Sequence, residues 1–131
     1  MSGRVLVVDD EVEMQRALRA GLQYHDFDVR TAGTGQEALR ESAAWRPDVV
    51  LLDLGLPGMD GYLVAQTIRK RYPQRPLRLY AVSGYGRQED RALALASGFD
   101  GHLTKPVDPA HLLALIAERD SSEPAPGVTT P

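Results

Sequence analysis

Five times along this chain a short run with strand character, often β-branched, gives way to a stretch whose apolar residues recur at helical spacing. Val5 to Val8 is a continuous apolar run ending in acids, which suits a strand buried on both faces. Met14, Leu18 and Leu22 then recur at helical spacing, with Ala17 and Gly21 beside them. Val29 to Ala32 is a weaker, more polar strand, expected nearer an edge. Thr34 and Glu37 stand in capping-box spacing and open a helix that ends before Pro47. Val49 to Leu52 is again fully apolar and ends at Asp53. Asp60 is the expected N-cap of a helix stopping near Pro73. Leu77 to Val82 reads as a strand ending at Ser83, and Ala92 to Ala96 as a helix closed by Gly98. A short strand near His102 to Thr104 leads into Lys105-Pro106, and Asp108-Pro109 opens a last helix whose apolar face is Leu112, Leu113, Leu115 and Ile116.

Strand-helix alternation of this kind implies a parallel sheet covered by helices on both faces. The expected fold class is α/β, a flavodoxin-like (βα)5 doubly wound sheet with strand order 2-1-3-4-5. Residues 1–119 form that domain, and residues 120–131, rich in Ser, Pro and Thr, read as a flexible tail or truncated linker. At 131 residues with 43% apolar and 25% charged side chains, one packed domain is sustainable. The formal charge is −3, and no basic cluster of binding size occurs, so direct nucleic-acid contact is not expected. The densest basic run, Arg69-Lys70-Arg71, reads as the solvated last turn of a helix. The chain has no cysteine, which excludes disulfides and thiolate chemistry and suits a cytoplasmic location. No apolar run approaches the roughly 20 residues that span a membrane, so membrane insertion is not expected.

Open parallel sheets bind ligands beyond the carboxyl ends of their strands, where strand order reverses. The first strand ends in Asp9-Asp10-Glu11, the third in Asp53, the fourth in Ser83 and the fifth in Lys105. With strands one and three adjacent, Asp9, Asp10 and Asp53 share one crevice. Close carboxylates repel and raise one another's pKa unless a cation joins them. Mg²⁺ suits the place, because it takes one or two carboxylates and leaves room for water and phosphate. Lys105 can pair with a carboxylate at rest and with a phosphoryl oxygen after transfer, and the Ser83 hydroxyl can donate to that same oxygen. An aspartate can act as nucleophile and form an acyl phosphate.

The stretches Val7-Val8-Asp9-Asp10-Glu11, Leu51-Leu52-Asp53-Leu54 with Leu56-Pro57-Gly58-Met59-Asp60-Gly61, Ser83-Gly84 and Lys105-Pro106 together resemble the response-regulator receiver family, over about residues 4–119. The resemblance implies a phosphorelay role: Asp53 accepts a phosphoryl group from a phosphohistidine on a histidine kinase or histidine phosphotransfer protein. It implies Mg²⁺ held by Asp10, Asp53 and the Gly55 backbone carbonyl, with Asp9 acting mainly through water. It implies a cis bond before Pro106, and a phosphorylation-dependent surface made by the last two helices and the strand between them, read by a downstream effector that the sequence does not identify. His102 departs from the pattern. It stands three residues before Lys105, where the family often carries a Tyr or Phe that moves inward with Ser83; a His there either switches or simply packs. The stretch Ala81 to Val107 also resembles receivers appended to hybrid histidine kinases, so the chain is read as a single-domain regulator or as the receiver of a larger one.

Two other classes are weighed. An Asp-nucleophile phosphatase of the haloacid-dehalogenase kind carries a second Asp two residues after the nucleophile; this chain has Gly55 there. A flavodoxin needs a loop after its first strand that welcomes an anionic phosphate, and Asp9-Asp10-Glu11 would repel it. The receiver reading makes the chain a signalling domain that catalyses only its own phosphorylation and dephosphorylation.

Overall fold

The apolar runs become strands and the helically spaced stretches become helices. The computed structural model describes residues 3–56, 58, 60–74, 76–84 and 88–122, with backbone alone at 88–91 and 118–122. In chain order the elements are β1 (Arg4–Val8), α1 (Val12–Tyr24), β2 (Asp28–Ala32), α2 (Gly35–Ala44), β3 (Val49–Asp53), α3 (Gly61–Arg71), β4 (Arg78–Ser83), α4 (Gln88–Ala96), β5 (Gly101–Thr104) and α5 (Pro109–Ser122). The strands are all parallel and lie in the order β2-β1-β3-β4-β5, the expected flavodoxin-like arrangement. The more polar β2 is an edge strand, as its composition suggested. Helix α5 runs to Ser122; residues 123–131 of the expected tail lie outside the described residues.

Period-two alternation sorts each central strand's side chains between two layers. Leu6, Val8, Val50, Leu52, Leu79 and Ala81 pack under α2, α3 and α4 through Ala38, Val64, Ala65, Ile68 and Ala94. Val5, Val7, Val49, Leu51, Val82 and Leu103 pack under α1 and α5 through Leu18, Leu22, Leu112 and Ile116. With both faces covered, β3 is buried along its whole length, and that includes Asp53.

The helix ends follow local chemistry. The Thr34 side chain accepts from the Glu37 N–H at 3.1 Å, while the Glu37 carboxylate reaches back to the Gly33 N–H at 2.7 Å. Asp60 accepts from the Tyr62 N–H at 2.9 Å and Asp108 from the Ala110 N–H at 2.9 Å. Gly98 follows α4 at φ +102°, a conformation that excludes most side chains. Gly21 is required for a different reason: a Cβ there would lie 2.5 Å from Pro109 Cγ, so α1 can approach the start of α5 only without a side chain. No helix among the described residues is long and apolar enough to cross a membrane.

One expectation needs correction. Lys70 and Arg71 are exposed, but Arg69 is not part of a solvated turn. Its Nε donates to the Gly98 carbonyl at 2.9 Å, an Nη to the Leu77 carbonyl, and the other Nη to Asp100 Oδ2 at 2.6 Å. Asp100 Oδ2 also accepts from the Leu79 N–H at 2.8 Å. Residue 69 lies four after the buried Ala65, on the flank of the core face, so its stem lies along the protein while its guanidinium reaches the α4–β5 turn. Arg69→Met should therefore lower stability by about 2 kcal/mol, because it strands a partly buried carboxylate and two carbonyls. Urea unfolding reads this as a lower midpoint at unchanged slope. Arg69→Lys should recover less than half, since one ammonium cannot span three acceptors in that fork. A midpoint equal to wild type in Arg69→Met would remove the clamp from the account.

Candidate functional site

Asp9 follows β1 directly, and β1 pairs with β3 in the register Val8↔Leu52. That register places Asp9 beside Asp53 at the carboxyl edge of the sheet. Backbone pairing holds both ends of the crevice: the Asp9 N–H donates to the Ala32 carbonyl at 2.9 Å, and the Leu54 N–H to the Val82 carbonyl at 2.8 Å. The Lys105 N–H donates to the Ser83 carbonyl at 2.8 Å, which brings the end of β5 to the end of β4. The Lys105–Pro106 peptide bond is cis.

The two buried carboxylates are held in the same way. Asp9 Oδ1 accepts from the Glu11 N–H at 2.8 Å, and Asp53 Oδ1 from the Gly55 N–H at 2.8 Å. Their other oxygens face Lys105 Nζ, at 3.2 Å from Asp9 Oδ2 and 2.9 Å from Asp53 Oδ2. A third carboxylate joins: Glu11 Oε1 lies 3.3 Å from the same ammonium, with its side chain 63% exposed at the crevice mouth. An ammonium carries three protons, and here three carboxylates surround it. Asp10 is exposed and stands outside this set. One carboxylate oxygen from each of Asp9, Asp10 and Asp53 lies within 4.8 Å of the others, a spacing that fits a hard cation.

Electrostatics follow from this packing. Burial pushes the Asp9 carboxyl above its ordinary range and Asp53's charge adds to that, against the lowering effects of the Glu11 N–H and Lys105. Burial alone would lower Lys105, but the hydrogen bond and charge of Asp53, then those of Asp9, outweigh it and hold the ammonium above the ordinary lysine value. A raised lysine pKa contributes stability that is complete below the ordinary value and lost only as pH rises beyond it, so Lys105 is a fixed cation at neutral pH.

Ser83, the last residue of β4, is buried, and its Oγ lies 2.8 Å from His102 Nε2 on β5. Gly55 is exposed, and a Cβ there would sit 3.4 Å from Asp53 Oδ1. Of the loop motif after β3, Pro57 and Met59 lie outside the described residues, as do Tyr85 to Arg87 after β4. The sequence did not single out two participants. Glu11 was read only as part of an acidic run, and Gln15, whose side-chain amide donates to the Asp9 carbonyl, was not considered. Glu11's place at the N-cap of α1, beside the strand-end acids, was the available signal.

A parallel five-stranded sheet with buried acids and a lysine at its carboxyl edge defines a phospho-acceptor module of signalling proteins, and the comparisons with known proteins agree. The family model for the response regulator receiver domain matches residues 5–117, and the chain belongs to that family. It is 37% identical to the response regulator PleD of Caulobacter vibrioides over 116 residues, which is 88% of this chain and 26% of PleD. The chain thus spans about a quarter of that relative's length. Its fold is similar to the CheY-like receiver domain protein of Methanospirillum hungatei JF-1, with a TM-score of 0.83 and 28% identity over 95% of this chain and 99% of that one. It is also similar to a chain in the co-crystal structure of the Saccharomyces cerevisiae histidine phosphotransfer signaling protein Ypd1 with the receiver domain of its downstream response regulator Ssk1, with a TM-score of 0.81 and 31% identity over 88% and 86%. The chain is a receiver domain of the two-component type. The phosphatase alternative finds no support: the position two after Asp53 offers a glycine and no general acid.

Proposed function

We propose that this domain takes a phosphoryl group onto Asp53 from a phosphohistidine on a histidine kinase or histidine phosphotransfer protein, and catalyses only its own phosphorylation and dephosphorylation. The observation that carries this is the Asp9, Asp10 and Asp53 group with Lys105 Nζ 2.9 Å from Asp53 Oδ2. Asp10, Asp53 and the Gly55 carbonyl would hold Mg²⁺, with Asp9 acting through water. The ion would supply positive charge to the incoming phosphoryl oxygens. Lys105 neutralises a phosphoryl oxygen once Asp53 is phosphorylated, and Ser83 donates a hydrogen bond to that same oxygen. A histidine phosphotransfer partner fits, because Ypd1 is such a protein and is crystallised with a receiver similar to this one.

Output runs through the surface of α4, β5 and α5. Ser83 leads into α4 and Lys105 into α5, so a phosphoryl group gives each a new partner beside those it has at rest. A coupling of ~1–3 kcal/mol is enough to redistribute such a domain between two surface states. His102 on β5 belongs to that switch with Ser83. The receiver extends to the end of α5 at Ser122 and works in the cytoplasm without direct nucleic-acid contact.

The metal half of this reading is tested by titrating Mg²⁺ and following amide shifts at the strand ends. Wild type should bind weakly, because few protein ligands face the ion and water must complete its octahedron. Asp10→Ala should lose at least about tenfold in affinity while keeping the fold, since Asp10 is exposed and only its charge is removed. Affinity equal to wild type in Asp10→Ala would place the ion elsewhere.

A further inference from the structure

His102 stands opposite Ala81 in the β4–β5 register, two pairs from Ser83↔Thr104 and so on the same face of the sheet. Its Nε2 reaches Ser83 Oγ at 2.8 Å, and its Nδ1 is shielded from solvent. A serine hydroxyl has one proton and two lone pairs, and a neutral imidazole has one N–H and one acceptor nitrogen. The contact is therefore directional: either Ser83 gives its proton to Nε2, or Nε2–H donates and leaves the serine proton for another acceptor. Ser83 is only 8% exposed, so neighbouring protein groups, more than bulk water, set where that proton points.

We infer that His102 is the positioning residue for the Ser83 hydroxyl, donating Nε2–H to Oγ so that the only serine proton is aimed at the phosphoryl group on Asp53. The inference rests on the proposed role of Ser83 and adds to it the direction of each hydrogen bond. Once the Ser83 hydroxyl donates its hydrogen bond to the phosphoryl oxygen, Oγ can meet His102 only as an acceptor. The ring must then carry a proton on Nε2. Ser83 and His102 respond as one hydrogen-bonded couple, so the state of the site passes straight into β5. A hydrocarbon ring at position 102 would fill the same space without this coupling.

The test uses the whole chain, ¹⁵N-labelled at histidine, with Mg²⁺ and beryllofluoride as the phosphoryl mimic. Bound beryllofluoride is read by ¹⁹F resonances and the His102 ring by long-range ¹H–¹⁵N correlation. The expected result is a bound-fluoride signal together with a protonated Nε2. Bound fluoride with an unprotonated Nε2 overturns this inference and leaves the proposed function standing; absence of bound fluoride takes down both. Rates of labelling by acetyl phosphate give a second reading. His102→Phe, which keeps bulk and loses the donor, should slow labelling about fivefold, the scale of one neutral hydrogen bond. His102→Gln, which restores an N–H, should return most of that rate. Equal rates in both variants would mean that residue 102 merely packs. If either variant fails to fold, the wild-type ring spectrum still decides.

Discussion

Asp53→Asn should take no phosphoryl label above background under conditions, acetyl phosphate with Mg²⁺, in which wild type should take close to one group per chain. An acyl phosphate needs a carboxylate oxygen as nucleophile, and a carboxamide does not supply one at neutral pH. The substitution leaves the surroundings nearly intact. Its amide oxygen can still accept from the Gly55 N–H, which reaches Asp53 Oδ1 at 2.8 Å. The control is as informative as the variant. Asp9 is held almost identically, one oxygen on a backbone N–H and the other on Lys105, so geometry at rest does not separate the two carboxylates. Asp9→Asn should still label on Asp53, more slowly. Intact-mass measurement followed by peptide mapping reads both; label at wild-type stoichiometry in Asp53→Asn would move the acceptor to another acid.

Lys105→Met separates catalysis from metal binding. Removing a preorganised cation from developing phosphoryl charge should slow labelling by about 10²–10³-fold. The same change should not weaken Mg²⁺ binding and should tighten it. At rest the ammonium lies 2.9 Å from Asp53 Oδ2 and 3.2 Å from Asp9 Oδ2, so it competes for the carboxylates that a metal would share. Methionine keeps most of the apolar stem and none of the charge. Mg²⁺ titration by amide shifts, run beside the labelling time course, gives both quantities. A rate within tenfold of wild type, or a loss of Mg²⁺ affinity, would show that Lys105 is not the group that meets the phosphoryl oxygen.

Much of this molecule was legible before any coordinates. Val5 to Val8 and Val49 to Leu52 are apolar without alternation, a pattern that only strands covered on both faces sustain, and these are the central β1 and β3. Thr34, Asp60 and Asp108 announced their helices because a cap acts within three residues of itself. The convergence of Asp9, Asp10 and Asp53 was readable because strand order alone decides which strand ends are neighbours.

What escaped the sequence has a common physical cause. Periodicity says which face a side chain takes, and leaves open which distant group it meets there. Arg69 looked like one more surface cation until the fold placed Asp100, 31 residues away in the chain, against its guanidinium. Glu11 looked like part of an acidic run until Lys105, 94 residues away, came within 3.3 Å. His102 had no legible partner until its Nε2 came within 2.8 Å of Ser83 Oγ. The sequence by itself determined the element order, the two apolar layers and the strand ends that carry charge, because these depend on local spacing and on a small menu of topologies. Only the tertiary structure decided the partners of Arg69, Glu11 and His102, because a hydrogen bond turns on tenths of an ångström between atoms that the chain's own order leaves far apart.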